Sequence, residues 1–483
     1  MKAVKMYING EWVEAQDGVV YDNMNPYTQE VYASVAGGSA EDAKLAIEAA
    51  HEAFPKWAAV PPGEKRKLLL KAADILESRV EEMAEVLANE AGTCMPFARF
   101  QGYNGPEFLR EAASQVHRVL GNIIPSEVPN TVSTAMRVPV GVVASISPWN
   151  CPVILSLRAI AFPIAYGNTV VLKPSSESSI SGGIKLAEVF HEAGFPKGVL
   201  NVITNGPGQS SKIGDLFTSD KRVRRITFTG STEVGRHLAE QCGRNLKKIS
   251  LELGGSSPLI VLKDADVDYA VDSAVFGRYM HQGQICMSTK RIILEKGIEE
   301  EFIEKFVAKV KTLQVGDPRE KDTIIGPLIN KWGVEDIDRQ VKAGIEQGAT
   351  MLMGGKSEGL IYYPTVFRDV TEDNILFIEE TFGPVAAITV AEDEDDALRL
   401  ANKTDFGLSS AVISGDTTKG LEIAERLEFG STHINASTLH DEAHAPFGGM
   451  KDSGIGNNGI WAVEEFTEMR WVTLNKGKKH FPI

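Results

Sequence analysis

Apolar residues in the first quarter of the chain recur three and four positions apart. That spacing gathers them on one face of a helix, and it predicts helices over 64–90 and 106–120. A shorter helix begins near Ser39, where Ser39 and Asp42 make a capping-box pair ahead of Leu45, Ile47 and Ala50. Before it, 6–12 reads as a hairpin, with short apolar runs on either side of Asn9-Gly10.

From 121 to 138 the pattern becomes extended and bounded by prolines, as expected of a strand pair that leaves the body of the fold. Short apolar runs then alternate with helical ones. Strands are predicted at 140–147, 169–173, 199–204, 225–229 and 248–253, and helices at 152–166, 180–193 and 232–242. A second series follows: strands at 259–262, 291–294, 385–390 and 410–414, with helices at 266–280, 298–313 and 394–402. Alternation at this spacing predicts an α/β protein, with a doubly wound parallel sheet in its first half and right-handed crossovers. With no internal repeat or low-complexity linker, the boundary between the halves falls near 252–257. The last regular stretch, 465–474, alternates apolar and polar residues and is expected to be an edge strand that pairs with a partner subunit.

The chain has 483 residues, enough for two or three domains with full cores. Its formal net charge of −15 argues against a nucleic-acid partner or an anionic membrane surface. Four cysteines, Cys94, Cys151, Cys242 and Cys286, form neither a disulfide framework nor a metal-ligand spacing. The N-terminus lacks the apolar core of a signal peptide, and no apolar run approaches the roughly 20 residues that span a bilayer. A cytoplasmic protein is expected.

Two stretches carry candidate chemistry. Cys286 closes a Gly-punctuated turn between a predicted helix and a predicted strand, a place for an exposed nucleophile. Glu252 lies at an apolar strand end beside Gly254-Gly255. A thiol that attacks and a carboxylate that activates water are the parts of a covalent, hydrolysing mechanism. A lone cysteine is more often buried and inert, and it is the pairing that favours the functional reading. Gly230, Ser231 and Gly235 sit between a strand and a helix, where backbone N–H groups can meet a phosphate. Gly206-Pro207-Gly208 follows another strand; neither segment has the full Gly-x-Gly-x-x-Gly pattern. Lys173 ends a strand and can hold ribose hydroxyls or phosphate, and Asn150 ends another and can donate to an oxyanion. Glu380 and Phe382 precede a Gly-Pro turn; a carboxylate can bind a ribose diol and an aromatic can pack on nicotinamide. The glycine-rich run 446–456 is expected to be a long ordered loop. Taken singly, each motif also reads as an ordinary turn, cap or solvated side chain.

Together and in this order, Pro148-Trp149-Asn150, Lys173-Pro174, 228–235, Leu251 to Gly255, Gly283 to Cys286, Glu380 to Pro384 and Pro446 to Gly449 resemble the aldehyde dehydrogenase superfamily, from about Tyr7 to the C-terminus. The resemblance implies a Rossmann-like dinucleotide-binding domain (1–120 and 139–252), an α/β catalytic domain (253–460) and oligomerisation strands (121–138 and 461–483), assembled as a homodimer or homotetramer. It implies Cys286 as nucleophile, Glu252 as the base that activates water, and Asn150 with the Cys286 backbone N–H as oxyanion donors. It places Ile146, Trp149, Lys173, Ser176, Gly206, Gly230, Ser231, Glu380 and Phe382 at the cofactor, with no metal. A glutamate at the place of Glu252 favours hydrolysis to a free acid over transfer to coenzyme A. Many NAD-preferring members carry a glutamate where this chain has Ser176, so NAD or NADP is expected, with NAD favoured. The segments 155–161, 281–289 and 439–446 resemble a bacterial branch acting on benzaldehyde, vanillin or salicylaldehyde. Arg158, two helical turns beyond Asn150, is placed to hold an anionic or phenolic group, or else to pair with an acid such as Glu442. An aliphatic semialdehyde dehydrogenase and a catalytically idle binding or structural member stay open as alternatives.

Overall fold

The computed structural model describes residues 3–483; Met1 and Lys2, the first two residues of the range 1–120, lie outside them. Five parallel strands form the centre of the first sheet. In spatial order they are Leu200–Val202, Thr169–Lys173, Val142–Ile146, Val223–Thr229 and Lys248–Glu252. The hairpin Met6–Ile8/Glu11–Val13 extends one edge and Gly454–Ile455 the other, both antiparallel. Helices cover both faces, so the strands need apolar residues on both. Val143, Val170 and Leu172 point to one core with Leu157 and Ile160. Val142, Ala144, Ile146 and Val171 point to the other with Ile47, Phe217 and Leu238.

The order of these strands sets the position of a cleft. The chain steps from Val142–Ile146 outward to Thr169–Lys173 and Leu200–Val202, then returns to the opposite side for Val223–Thr229 and Lys248–Glu252. The loops after Val142–Ile146 and Val223–Thr229 therefore turn in opposite directions. Adjacent parallel strands whose connections diverge leave a crevice at their carboxyl ends.

The second sheet has seven strands, in the order Thr350–Met353, Thr365–Arg368, Val385–Ala391, Thr289–Glu295, Ser257–Val261, Ser409–Ile413 and Ser431–Ile434. All neighbouring pairs are parallel except the first. It too is packed on both faces. A third sheet joins Thr467–Asn475, Thr131–Pro139 and Gly121–Ile124. The terminal strand thus pairs along its length with a strand of its own chain. Among the described residues no helix is long and apolar enough to cross a membrane.

Several elements depart from the sequence pattern. The expected helix 64–90 is two, Pro62–Glu77 and Val80–Ala91; the Ser78 hydroxyl donates to the Ile75 carbonyl and closes the first. The helix expected from 106 begins at Met95 and runs to Ser114, with Pro106 inside it. The helix expected from 180 opens with a π turn, Ile180–Ile184, whose free N–H groups at Ile180 and Ser181 donate to the buried Glu90 carboxylate. The helix Lys331–Glu346 was not foreseen. Gly454–Ile455, expected with the catalytic part, joins the first sheet. Ala462, Val463 and Phe466, expected with the oligomerisation strands, are buried in the first core because they are apolar at helical spacing.

Candidate active site

The turn that carries Cys286 is strained and clamped. His281, Gln282 and Gly283 follow one another at φ of 50°, 55° and 74°. Side chains rarely adopt that region, and it persists only where surroundings hold it. Here Gln282 Nε2 donates to the carbonyls of Gly92 (3.0 Å) and Pro327 (2.9 Å), and the His281 ring stacks on Phe97 at 5.1 Å. Gly283 has no alternative, because a Cβ there would lie 2.4 Å from the Gly383 carbonyl oxygen. Three residues on, Cys286 is delivered just before the strand Thr289–Glu295. Asn150 approaches from the end of the Val142–Ile146 connection, and its Nδ2 donates to the Gln284 carbonyl at 3.0 Å. Cys286 and Asn150 open onto one cavity of about 370 Å³.

That cavity is aromatic. Phe97, Phe100, Phe276 and Phe447 form its walls with Ile154 and Leu155. Arg158 also lines it; its guanidinium is buried, pairs with Asp441 Oδ2 at 2.5 Å and stacks on Phe447 at 4.0 Å. Arg158 Nε and Nη1, and Asp441 Oδ1, have no hydrogen-bond partner among the described residues. The acid suggested by the sequence, Glu442, is instead paired at the surface with His440 and His444.

Glu252 ends the strand Lys248–Glu252 and is buried. Its Oε1 accepts from Asn458 Nδ2 at 3.1 Å, and its Oε2 has no partner among the described residues. Burial pushes its carboxyl up to about 8, against a pull downward from Arg158 and Asn458. Burial also pushes the Cys286 thiol up to about 11; Lys290 and Arg158 act in the opposite sense, Glu380 and Glu252 in the same sense. The glycine pair after Glu252 permits this crowding. A Cβ on Gly254 would lie 2.3 Å from Glu380 Oε2, and one on Gly255 2.8 Å from the Cys286 carbonyl oxygen.

A second cleft, of about 570 Å³, occupies the crevice at the strand carboxyl ends. Ile146, Trp149, Lys173, Gly230 and Ser231 all line it. Ser231 caps the helix Thr232–Arg244, whose first N–H groups lie at the cleft. Lys173 is buried, and its ammonium has one protein acceptor, the carbonyl of Pro174 at 3.3 Å; burial pushes it down to about 8. Gly230 lies against the Phe228 ring, which a Cβ would approach to 2.5 Å. A helix N-terminus, a buried cation with spare donors and a flat apolar wall suit a dinucleotide's pyrophosphate, ribose and base. Phe382 meets Trp149 edge-on at 5.7 Å. Glu380 is held by Lys290 Nζ (2.7 Å) and the Gly255 N–H (3.0 Å). Four of the expected cofactor residues, Glu380, Phe382, Ser176 and Gly206, are not among the residues that line this cleft. Ser176 lines a neighbouring cavity, where its carbonyl accepts from Asn23 Nδ2 at 3.2 Å, and Gly206 packs on the Tyr21 ring.

The sequence did not single out Asp441, Asn458, Gln282, Lys290 or the aromatic wall. Phe97 and Phe100, three apart on one helix face, carried a readable signal; Asn458, on an irregular loop, carried none.

A dinucleotide crevice beside a thiol-bearing apolar pocket defines an α/β oxidoreductase of the nicotinamide-dependent class. The model of the aldehyde dehydrogenase family matches residues 12–472. The vanillin dehydrogenase of Pseudomonas fluorescens is 45% identical over 100% of both chains. The salicylaldehyde dehydrogenase of Pseudomonas putida is 42% identical over 99% of both. The crystal structure of a salicylaldehyde dehydrogenase from Pseudomonas putida G7, complexed with salicylaldehyde, superposes over 100% of both chains with a TM-score of 0.97 at 40% identity. The chain belongs to the aldehyde dehydrogenase family, and it oxidises aldehydes with NAD(P).

Proposed function

We propose that this enzyme oxidises aromatic aldehydes to free carboxylic acids, preferring NAD. The observation that carries the substrate class is the Cys286 pocket: four phenylalanines surround it, and Arg158 lines it with two partnerless nitrogens. An arene fills such walls by dispersion and apolar burial. A hydroxyl or phenolate on the ring accepts from Arg158.

Each residue has one role in the chemistry. Cys286, as thiolate, attacks the carbonyl carbon and forms a thiohemiacetal. Asn150 Nδ2 has a second N–H beyond the one given to Gln284, and with the Cys286 N–H it faces the oxygen that gains charge. When bound, the coenzyme supplies the hydride acceptor. Lys173 and Ser231 hold its ribose and pyrophosphate groups, with Ile146, Trp149, Gly230 and Phe382 shaping its bed; Glu380 reaches the second ribose. Glu252, ionised, takes a proton from the water that releases the acid from Cys286. Ser176 supports the rim through the neighbouring cavity, and Gly206 through its packing on Tyr21. The preference for NAD is drawn from charge: Asp215 and Glu233 line the same cleft as the single ammonium of Lys173, and two carboxylates disfavour a 2′-phosphate.

We divide the chain into a coenzyme-binding domain on the first sheet, a catalytic domain on the second, and the three-stranded sheet as an oligomerisation element. Initial rates with benzaldehyde, salicylaldehyde, vanillin and succinate semialdehyde, each with NAD and NADP, test the reading. Aromatic substrates with NAD should lead, and Arg158→Met should raise KM for salicylaldehyde and vanillin more than for benzaldehyde. A lead for succinate semialdehyde would discard the aromatic reading; an equal effect on all three arenes would discard the role of Arg158.

A further inference from the structure

Lys290 is a buried lysine that the mechanism above leaves unused. It sits on the strand Thr289–Glu295, and its side chain is 1% exposed. An ammonium has three N–H donors, and each is engaged: with the Ile285 carbonyl at 3.2 Å, the Cys286 carbonyl at 2.8 Å and Glu380 Oε1 at 2.7 Å. The same ammonium lies 5.5 Å from the centre of the Phe382 ring. A buried cation is costly unless paired and fully hydrogen-bonded. Ile292 and Ile293, farther along the same strand, show what packing alone requires, and Arg291 beside Lys290 is a buried cation whose acceptors are backbone carbonyls alone.

We propose that Lys290 is the positioning residue that ties the nucleophile turn to the cofactor-side carboxylate: its charge favours the Cys286 thiolate, and its hydrogen bonds hold Glu380 with one oxygen engaged. This rests on Cys286 being the nucleophile. The two ends of the tie are independent of each other in sequence, since Glu380 enters from the loop before Val385–Ala391, whereas Cys286 and Lys290 flank the start of their own strand. Gly254 and Gly255 leave the space in which the two loops converge, Gly254 against Glu380 and Gly255 against the Cys286 carbonyl.

The charged groups that face the thiol are Lys290, Glu380, Glu252 and Arg158; Arg278 and Glu380 face Lys290. Removing the ammonium leaves Cys286 with two carboxylates and one guanidinium, so its thiolate becomes rarer at any pH below the midpoint. Removing the negative charge of Glu380 acts in the opposite sense.

The test is the pH profile of Cys286 alkylation by iodoacetamide in the coenzyme-free protein, with the labelled residue mapped by mass spectrometry. In Lys290→Met the midpoint should rise, slowing labelling on the order of tenfold at fixed pH. Glu380→Gln should lower it, and Lys290→Arg, which keeps the charge, should leave it near the parent. Lys290→Met should also bind NAD several-fold more weakly, read by tryptophan fluorescence. A midpoint unchanged in Lys290→Met, or displaced equally by Lys290→Arg, overturns the charge role. Unaltered NAD affinity overturns the hold on Glu380. Failure of the underlying reading shows separately: in the parent protein, an aldehyde would then not protect Cys286 from the reagent.

Discussion

In the proposed mechanism one buried carboxyl, that of Glu252, times the reaction. Held near 8 by burial, it is neutral through most of the physiological range and cannot accept a proton there. Ionisation on raising the pH creates the base, so acid release should climb with pH through about 8 and level off above it. In Glu252→Gln that limb should vanish, with acyl-enzyme accumulating on Cys286, detectable by mass spectrometry of the quenched protein. A steady state free of acyl-enzyme would remove Glu252 from the role of base. Cys286→Ala should abolish oxidation altogether; turnover near the parental rate would exclude the thiol as nucleophile.

At the scale of elements, the turn 280–286 is where the fold stores strain. Two non-glycine residues and one glycine share positive φ, and the distant carbonyls of Gly92 and Pro327 hold the turn through Gln282. Gly283→Ala must place a methyl group against a backbone oxygen and keep its φ. The φ alone costs about 1–3 kcal/mol, and the overlap adds to it. A lower midpoint in urea unfolding, together with slower Cys286 alkylation, is the expected result; an unaltered midpoint would mean that the turn relaxes freely. The same clamp fixes the position of a cysteine that lies beside a helix end. Helix Val267–Tyr279 alone would leave the following residues free to continue or fray.

For the whole molecule, the three-stranded sheet raises a question of burial. Trp471 is 73% exposed, Leu474 63% and Ile123 81%. Exposed apolar side chains gathered on one sheet mark an interaction surface, and a second copy of the chain is the partner we propose. Trp471→Glu should lower the sedimenting mass toward the monomer and make thermal unfolding less dependent on protein concentration. An unchanged mass would place the contact elsewhere.

What the residues disclosed without a structure was mostly what local chemistry determines. A short apolar run and a period-3.6 pattern located Thr169–Lys173 and Glu394–Asn402 at their observed limits, and the Ser39–Asp42 capping box is formed, because caps, buried runs and amphipathic faces depend on near neighbours. The motifs around Cys286, Glu252 and Asn150 were legible because each lies at an element boundary, where glycine and polar residues stand out. The helix start at Pro106 was misread because packing carries the helix through the proline, and the break at Ser78 was missed because the apolar spacing continues across the local bond from its hydroxyl to the Ile75 carbonyl that ends the helix. Tertiary structure alone decided the rest. It brought Asp441 rather than Glu442 to Arg158, aimed Asn458 at Glu252, and let Lys290 join Cys286 to Glu380 across 90 residues of chain. It also placed Ser175 in the lining of the cleft that Lys173 enters and Ser176 in that of the cavity beside it. The physical reason is the same in each case: which buried charge meets which partner depends on the crossing of loops from different sheets, and no periodicity along the chain encodes that distance.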